Sequence, residues 1–256
     1  MGAFPLIYLG WAYLFWTPLW LSESSVWSWP NILFFLLGGA SPLVAGLALA
    51  WQAGGTAQLR DLGWRLIDAG RIGARWWLVI VLFWLVFNLI LAAAALVLQV
   101  TDRPFDVDSG LLTDPGALAF LLLLSFVFPA VEEVGLRGYY LEFLQQRFRA
   151  FPAGLINGCV WALWHAPFVA FPGYYAHTTF QPELFWWLPM IVCTTLLIVQ
   201  VYNATGRSIL AVLIFHAMMN FTGEVLGITS GMYPFVLSGY VLAALAVVLF
   251  WRREGS

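Results

Sequence analysis

ALAFLLLLSFVFPAVEEVGLRGYY, residues 117–140, decides the fold. Residues 117–131 carry no charge. A bilayer core about 30 Å thick takes roughly 20 helical residues to cross, so this stretch predicts a membrane span. The end of the span then does something costly. It places Glu132, Glu133 and Arg137 in or beside the apolar run. Ionisable groups at membrane depth are expensive enough to be functional candidates by default. A strand is excluded by the same physics, because an open sheet edge leaves backbone groups without partners in lipid.

The rest of the chain reads the same way. Of 256 residues, 62% are hydrophobic and 9% charged, against roughly 25% charged in an average soluble domain. A soluble core of this size cannot hide so much apolar surface. The 15 Trp, 21 Phe and 9 Tyr suit a membrane protein, since aromatic rings favour the membrane–water boundary. Eight stretches are long and apolar enough to cross, near 4–21, 31–51, 77–100, 117–136, 152–171, 184–202, 208–226 and 232–251. The expectation is an all-α polytopic bundle of about eight spans, forming one integral membrane domain over residues 1–256. The N-terminus lacks a basic n-region and a small-x-small cleavage site, so the first helix is expected to remain as a span. Cys159 and Cys193 sit singly in apolar stretches and read as packing residues.

Charge fixes orientation and excludes some partners. The net charge is −2 and no basic run is present, so nucleic acid is not an expected partner. All 11 basic residues are Arg. With eight spans, Arg60, Arg65, Arg71, Arg75, Arg137, Arg147, Arg149, Arg207, Arg252 and Arg253 fall on one side, and Arg103 alone on the other. The positive-inside rule then places both termini in the cytoplasm of a multi-pass cell-membrane protein. The segment 57–76 mixes Leu, Trp and Ile with arginines and fits either an interfacial helix or a charged loop.

Two further spans add polar groups. WALWHAP (161–167) contains His165, and FHAMMN (215–220) contains His216 and Asn220. In a bundle, polar groups on three helices can be satisfied together only in a shared interior. Glu132 and Glu133 point about 100° apart around a helix axis. Glu133 and Arg137 are four residues apart and form a favourable pair, which leaves Glu132 free to face a cavity. His216 and Asn220 share a face in the same way. Gly154, Gly158, Ala162 and Ala166 make a small-residue ridge that admits a close neighbouring helix. A carboxylate beside a His can deprotonate water, and a His with an Asn can donate to an oxyanion. Covalent routes are poorly supplied: there is no G-x-S-x-G motif and no Lys to pair with Ser.

EEVGLR (132–137) resembles the EExxxR motif of the CPBP family, which includes the type II CAAX prenyl endopeptidases and bacterial "Abi" proteins. WALWH sits where that family has FxxxH, with Trp161 in place of Phe, and HAMMN matches its HxxxN. The resemblance covers about residues 117–226, the expected catalytic core. It implies an intramembrane glutamate-type endopeptidase without a cofactor or metal. Glu132 and His165 would activate water, His216 and Asn220 would form the oxyanion site, and Glu133 and Arg137 would support the geometry. The implied partners are the bilayer and a protein or peptide substrate, prenylated or otherwise membrane-anchored; eukaryotic relatives trim the last three residues of prenylated CAAX proteins. Two rival readings remain. A zinc metalloprotease could use two His and a Glu, although H-E-x-x-H is absent. A non-catalytic immunity factor or scaffold is the other. A transporter is disfavoured because no matching broken helices are visible.

Overall fold

The computed structural model describes residues 2–176 and 182–254, with backbone only for 252–254. It is an all-helical bundle. In chain order the helices are α1 (Ala3–Trp20), α2 (Asn31–Gly39), α3 (Ser41–Ile67), α4 (Ala74–Val97), α5 (Ser109–Thr113), α6 (Pro115–Glu133), α7 (Glu142–Gln145), α8 (Ala150–His165), α9 (Leu184–Ala204), α10 (Ile209–Leu226) and α11 (Tyr233–Glu254). A π-helical segment, Val134–Leu141, joins α6 to α7, and a 3₁₀ turn, Ala166–Ala170, extends α8. Among the described residues there is no strand, only an isolated bridge between Phe105 and Ile228.

Seven helical stretches in the described residues are long and apolar enough to cross a membrane. The remaining expected span is α1, an 18-residue helix without a charge. It buries one stripe, Phe4, Tyr8, Ala12, Trp16 and Leu19, against the bundle; the near-constant spacing of four keeps these residues on one helical face.

Two spans run longer than expected. The second continues as α3 to Ile67, beyond the expected end at 51, across a kink at Gly55 with φ 58° and ψ −141°. Glycine adopts such a backbone without a Cβ clash. Residues 57–67 are therefore helix rather than loop, and Leu62 and Arg65 in this part are buried. The fourth span continues as π-helix through Leu141 and then α7. A π segment inside an α-helix is rare and is found often at functional sites. It carries Arg137 and Gly138 toward the bundle interior, where Arg137 is fully buried.

Helix ends are set by local chemistry. The Asp114 side chain accepts from the amides of Gly116 and Ala117 at the start of α6, with Pro115 in the first turn. Both features suit a helix N-terminus. Ser208 caps α10 by accepting from the Ala211 amide, and Gly227 ends it in the left-handed region.

Two close backbone approaches bring the site helices together. The small-residue ridge of α8 receives α9: a Cβ on Gly154 would lie 2.9 Å from Leu196 Cδ2, and one on Gly158 3.1 Å from the Val192 Cα. On the other side, α3 crosses the π segment. A Cβ on Gly46 would lie 2.6 Å from the Gly135 Cα, and one on Gly135 would lie 1.9 Å from the Pro42 carbonyl oxygen. The glycine of EEVGLR is thus required by a helix crossing. At the far end of the π segment, Arg65 is 2% exposed. It donates to Glu142 at 2.5 Å, to the Tyr202 hydroxyl at 2.9 Å and to the Gly138 carbonyl at 2.9 Å, with Asp61 2.8 Å away. Arg207 reaches the other oxygen of Glu142 at 3.0 Å. These contacts tie the C-terminal part of α3, the π segment, α7, α9 and the segment after α9 together at one end of the bundle.

Candidate active site

The site is built around one side chain, Trp161. It sits three turns into α8, 2% exposed. Its indole Nε1–H donates to Glu132 Oε2 at 2.6 Å. Its ring face carries the Arg137 guanidinium, 4.3 Å from the ring centroid, within the range of a cation–π contact. Its ring stands edge-on to His165 at 5.1 Å and to His216 at 5.2 Å. Its backbone carbonyl lies 3.0 Å from His165 Nδ1. Five of the six polar residues expected at the site therefore touch Trp161 or a group that touches it.

Glu133 is fully buried and acts as a second hub. Its Oε1 accepts from Arg137 at 2.9 Å, the expected pairing four residues along. The same oxygen lies 2.8 Å from His216 Nδ1. Arg137 has one further, long contact to Thr195 Oγ1 at 3.4 Å. Helix geometry predicted the Glu133–Arg137 pair, but it did not predict that His216, 83 residues away, joins it.

These contacts select one tautomer for each imidazole. A carbonyl or carboxylate oxygen only accepts, so Nδ1 carries the proton in both rings. Among the described residues, Nε2 of neither ring makes a hydrogen bond. Asn220 lies one turn beyond His216 on α10, half-buried, and is not bonded to the other five. His165 stands in an aromatic enclosure of Trp161, Trp164, Phe168 and Trp187, with ring centroids between 4.9 and 5.4 Å.

Among the described residues, several buried polar atoms around this centre have no hydrogen-bond partner: Glu133 Oε2, Arg137 Nε and the hydroxyl of Tyr8. Tyr8 comes from α1 and stacks against Trp164 at 5.8 Å. Among the described residues, no group of three His, Cys, Asp or Glu side chains is placed to hold a metal ion.

Trp161 was legible in the sequence only as an aromatic standing where the resembled motif has Phe. The ring matters here, but the indole N–H is what reaches Glu132. Arg65 read as a cytoplasmic-loop charge, and nothing in the local pattern marked it as buried.

Residues 114–222 match the family model described as type II CAAX prenyl endopeptidase Rce1-like. The chain is also similar to the CAAX prenyl protease 2 of Methanococcus maripaludis, with 28% identity over 249 residues, covering 94% of this chain and 90% of the relative. Both findings agree with the resemblance read from the three motifs. They support a multi-pass membrane protein of CAAX-protease type.

Proposed function

We propose that this chain is an intramembrane endopeptidase that cleaves a membrane-anchored, prenylated protein or peptide near its C-terminus, using water activated by Glu132. The observation that carries this reading is the division of labour between adjacent glutamates. Glu133 is engaged by Arg137 and His216 through one oxygen. Among the described residues Glu132 has a single hydrogen-bond partner, the Trp161 indole on Oε2, which leaves Oε1 for a water molecule. The name and family of the similar proteins point to the same reaction class.

In this mechanism Oε1 of Glu132 takes a proton from water as the water oxygen attacks the scissile carbonyl carbon. His165 Nε2 accepts the water's second hydrogen and aligns it. The carbonyl oxygen becomes an oxyanion. His216, held through Nδ1 by Glu133, donates from Nε2 when protonated there, and Asn220 donates from its amide. Glu132 then returns its proton to the leaving nitrogen as the C–N bond breaks. Residues 117–226 form the catalytic core, and the clamped arginine-rich end of the bundle faces the cytoplasm, with both termini on that side.

The test uses the purified protein in proteoliposomes with an internally quenched, prenylated CAAX peptide. Wild type is expected to release the C-terminal fragment, and Glu132→Gln to be inactive. Equal activity in Glu132→Gln would overturn the mechanism. Cleavage of unprenylated and prenylated peptide at the same rate would overturn the substrate class.

A further inference from the structure

The resembled motif carries Phe where this chain has Trp161, and a phenyl ring cannot donate a hydrogen bond. The indole N–H is 2.6 Å from Glu132 Oε2, a short, buried, charge-assisted contact of the stronger kind. The two ends of the residue do different things. The backbone carbonyl holds His165 Nδ1 at 3.0 Å and survives any side-chain exchange. The ring face under Arg137 would survive replacement by another aromatic. Only the N–H is specific to tryptophan.

A carboxylate with one bonded oxygen is held against rotation about its terminal torsion. The bonded oxygen is withdrawn from chemistry and the other is presented in a fixed direction. Among the described residues Glu132 has no other hydrogen bond to hold it: Arg137 and His216 are both taken by Glu133. We propose that Trp161 is a positioning residue, whose indole N–H pins Oε2 of Glu132 and so presents Oε1 as the oxygen that accepts the water proton. The proposal rests on the reading of Glu132 as the base. It adds that this chain orients that base by a hydrogen bond that a phenylalanine could not supply.

Trp161→Phe keeps an aromatic face for Arg137 and removes the donor. Cleavage of the prenylated CAAX peptide in proteoliposomes is measured for wild type, Trp161→Phe and Glu132→Gln, together with thermal unfolding in one detergent. The expected result is a kcat lower by about 10-fold to 100-fold, the range a charge-assisted hydrogen bond spans. KM should stay within about twofold, since a group that only orients the base adds little to ground-state substrate binding. Infrared difference spectra supply a second readout. A carboxylate stretching band that Glu132→Gln abolishes should shift in Trp161→Phe, which loss of packing alone would not produce. A kcat within twofold of wild type, with Glu132→Gln inactive, would overturn the proposal and leave the glutamate mechanism standing. Activity in Glu132→Gln would instead remove the mechanism on which the proposal rests. If Trp161→Phe does not fold, benzothienylalanine at position 161 replaces only the N–H by sulfur at nearly constant volume. The same kcat and infrared criteria then decide.

Discussion

Exchanging each of the adjacent glutamates for glutamine should separate stability from catalysis. Glu133 is 0% exposed, as is Arg137, and its Oε1 accepts from Arg137 at 2.9 Å and from His216 at 2.8 Å. Glu133→Gln keeps the volume and removes the charge. Arg137 would then keep a neutral amide acceptor in place of its counter-ion, with the long contact to Thr195 at 3.4 Å and the Trp161 face at 4.3 Å unchanged. Removing the counter-ion of a buried pair costs about 3–5 kcal/mol; the amide acceptor that glutamine retains puts the loss at the low end, and the cation–π contact is common to both proteins. A net loss of about 3 kcal/mol should lower Tm by on the order of 10 °C. Glu132→Gln differs in kind. The one partner of Glu132 is a donor, the Trp161 N–H, and a glutamine carbonyl accepts from it equally well. Its stability change should stay below about 1 kcal/mol, while turnover falls by about 10²- to 10⁴-fold through loss of the base. Thermal unfolding and peptide cleavage, in the same detergent and lipid, test both. Equal destabilisation of the two variants would refute the reasoning. A folded, stable but inactive Glu133→Gln beside an active Glu132→Gln would reverse the roles.

Other outcomes follow from the same contacts. Gly135→Ala places a Cβ 1.9 Å from the Pro42 carbonyl, so α3 and the π segment must separate; about 1–3 kcal/mol of overpacking should appear as a lower Tm with reduced activity. Arg65→Met removes the buried cation from Glu142, Tyr202 and the Gly138 carbonyl; with Arg207 still on Glu142, the cost should be about 3 kcal/mol by unfolding. Tyr8→Phe deletes a buried hydroxyl without a partner, so Tm should hold or rise, and a fall of several degrees would show that the hydroxyl is bonded. Reporter fusions at the C-terminus and within 101–116 should give opposite signals, and a periplasmic C-terminus would sink the proposed orientation.

Sequence alone determined the solvent and much of the inventory. Apolar runs of roughly 20 residues dictate helices in a bilayer, and the helical period placed Arg137 where it could pair with Glu133. Short-range rules suffice there because both partners ride on one element. The small-residue ridge at Gly154 and Gly158 was legible for the same reason, since a missing side chain shows in sequence as a place where a neighbour can approach. What sequence could not determine is which neighbour approaches and what its atoms then meet. The bond from Trp161 to Glu132 spans 29 positions and that between His216 and Glu133 spans 83, so both depend on how α6, α8 and α10 rotate against one another. The lengthening of the fourth span into a π-helix, the Gly55 kink that turns Arg65 inward, and the Gly46–Gly135 crossing are equally tertiary. Each trades a locally unfavourable backbone or buried charge for packing and hydrogen bonds supplied by distant residues. A charge at position 65 reads as a loop residue until Glu142 and Tyr202 are brought against it.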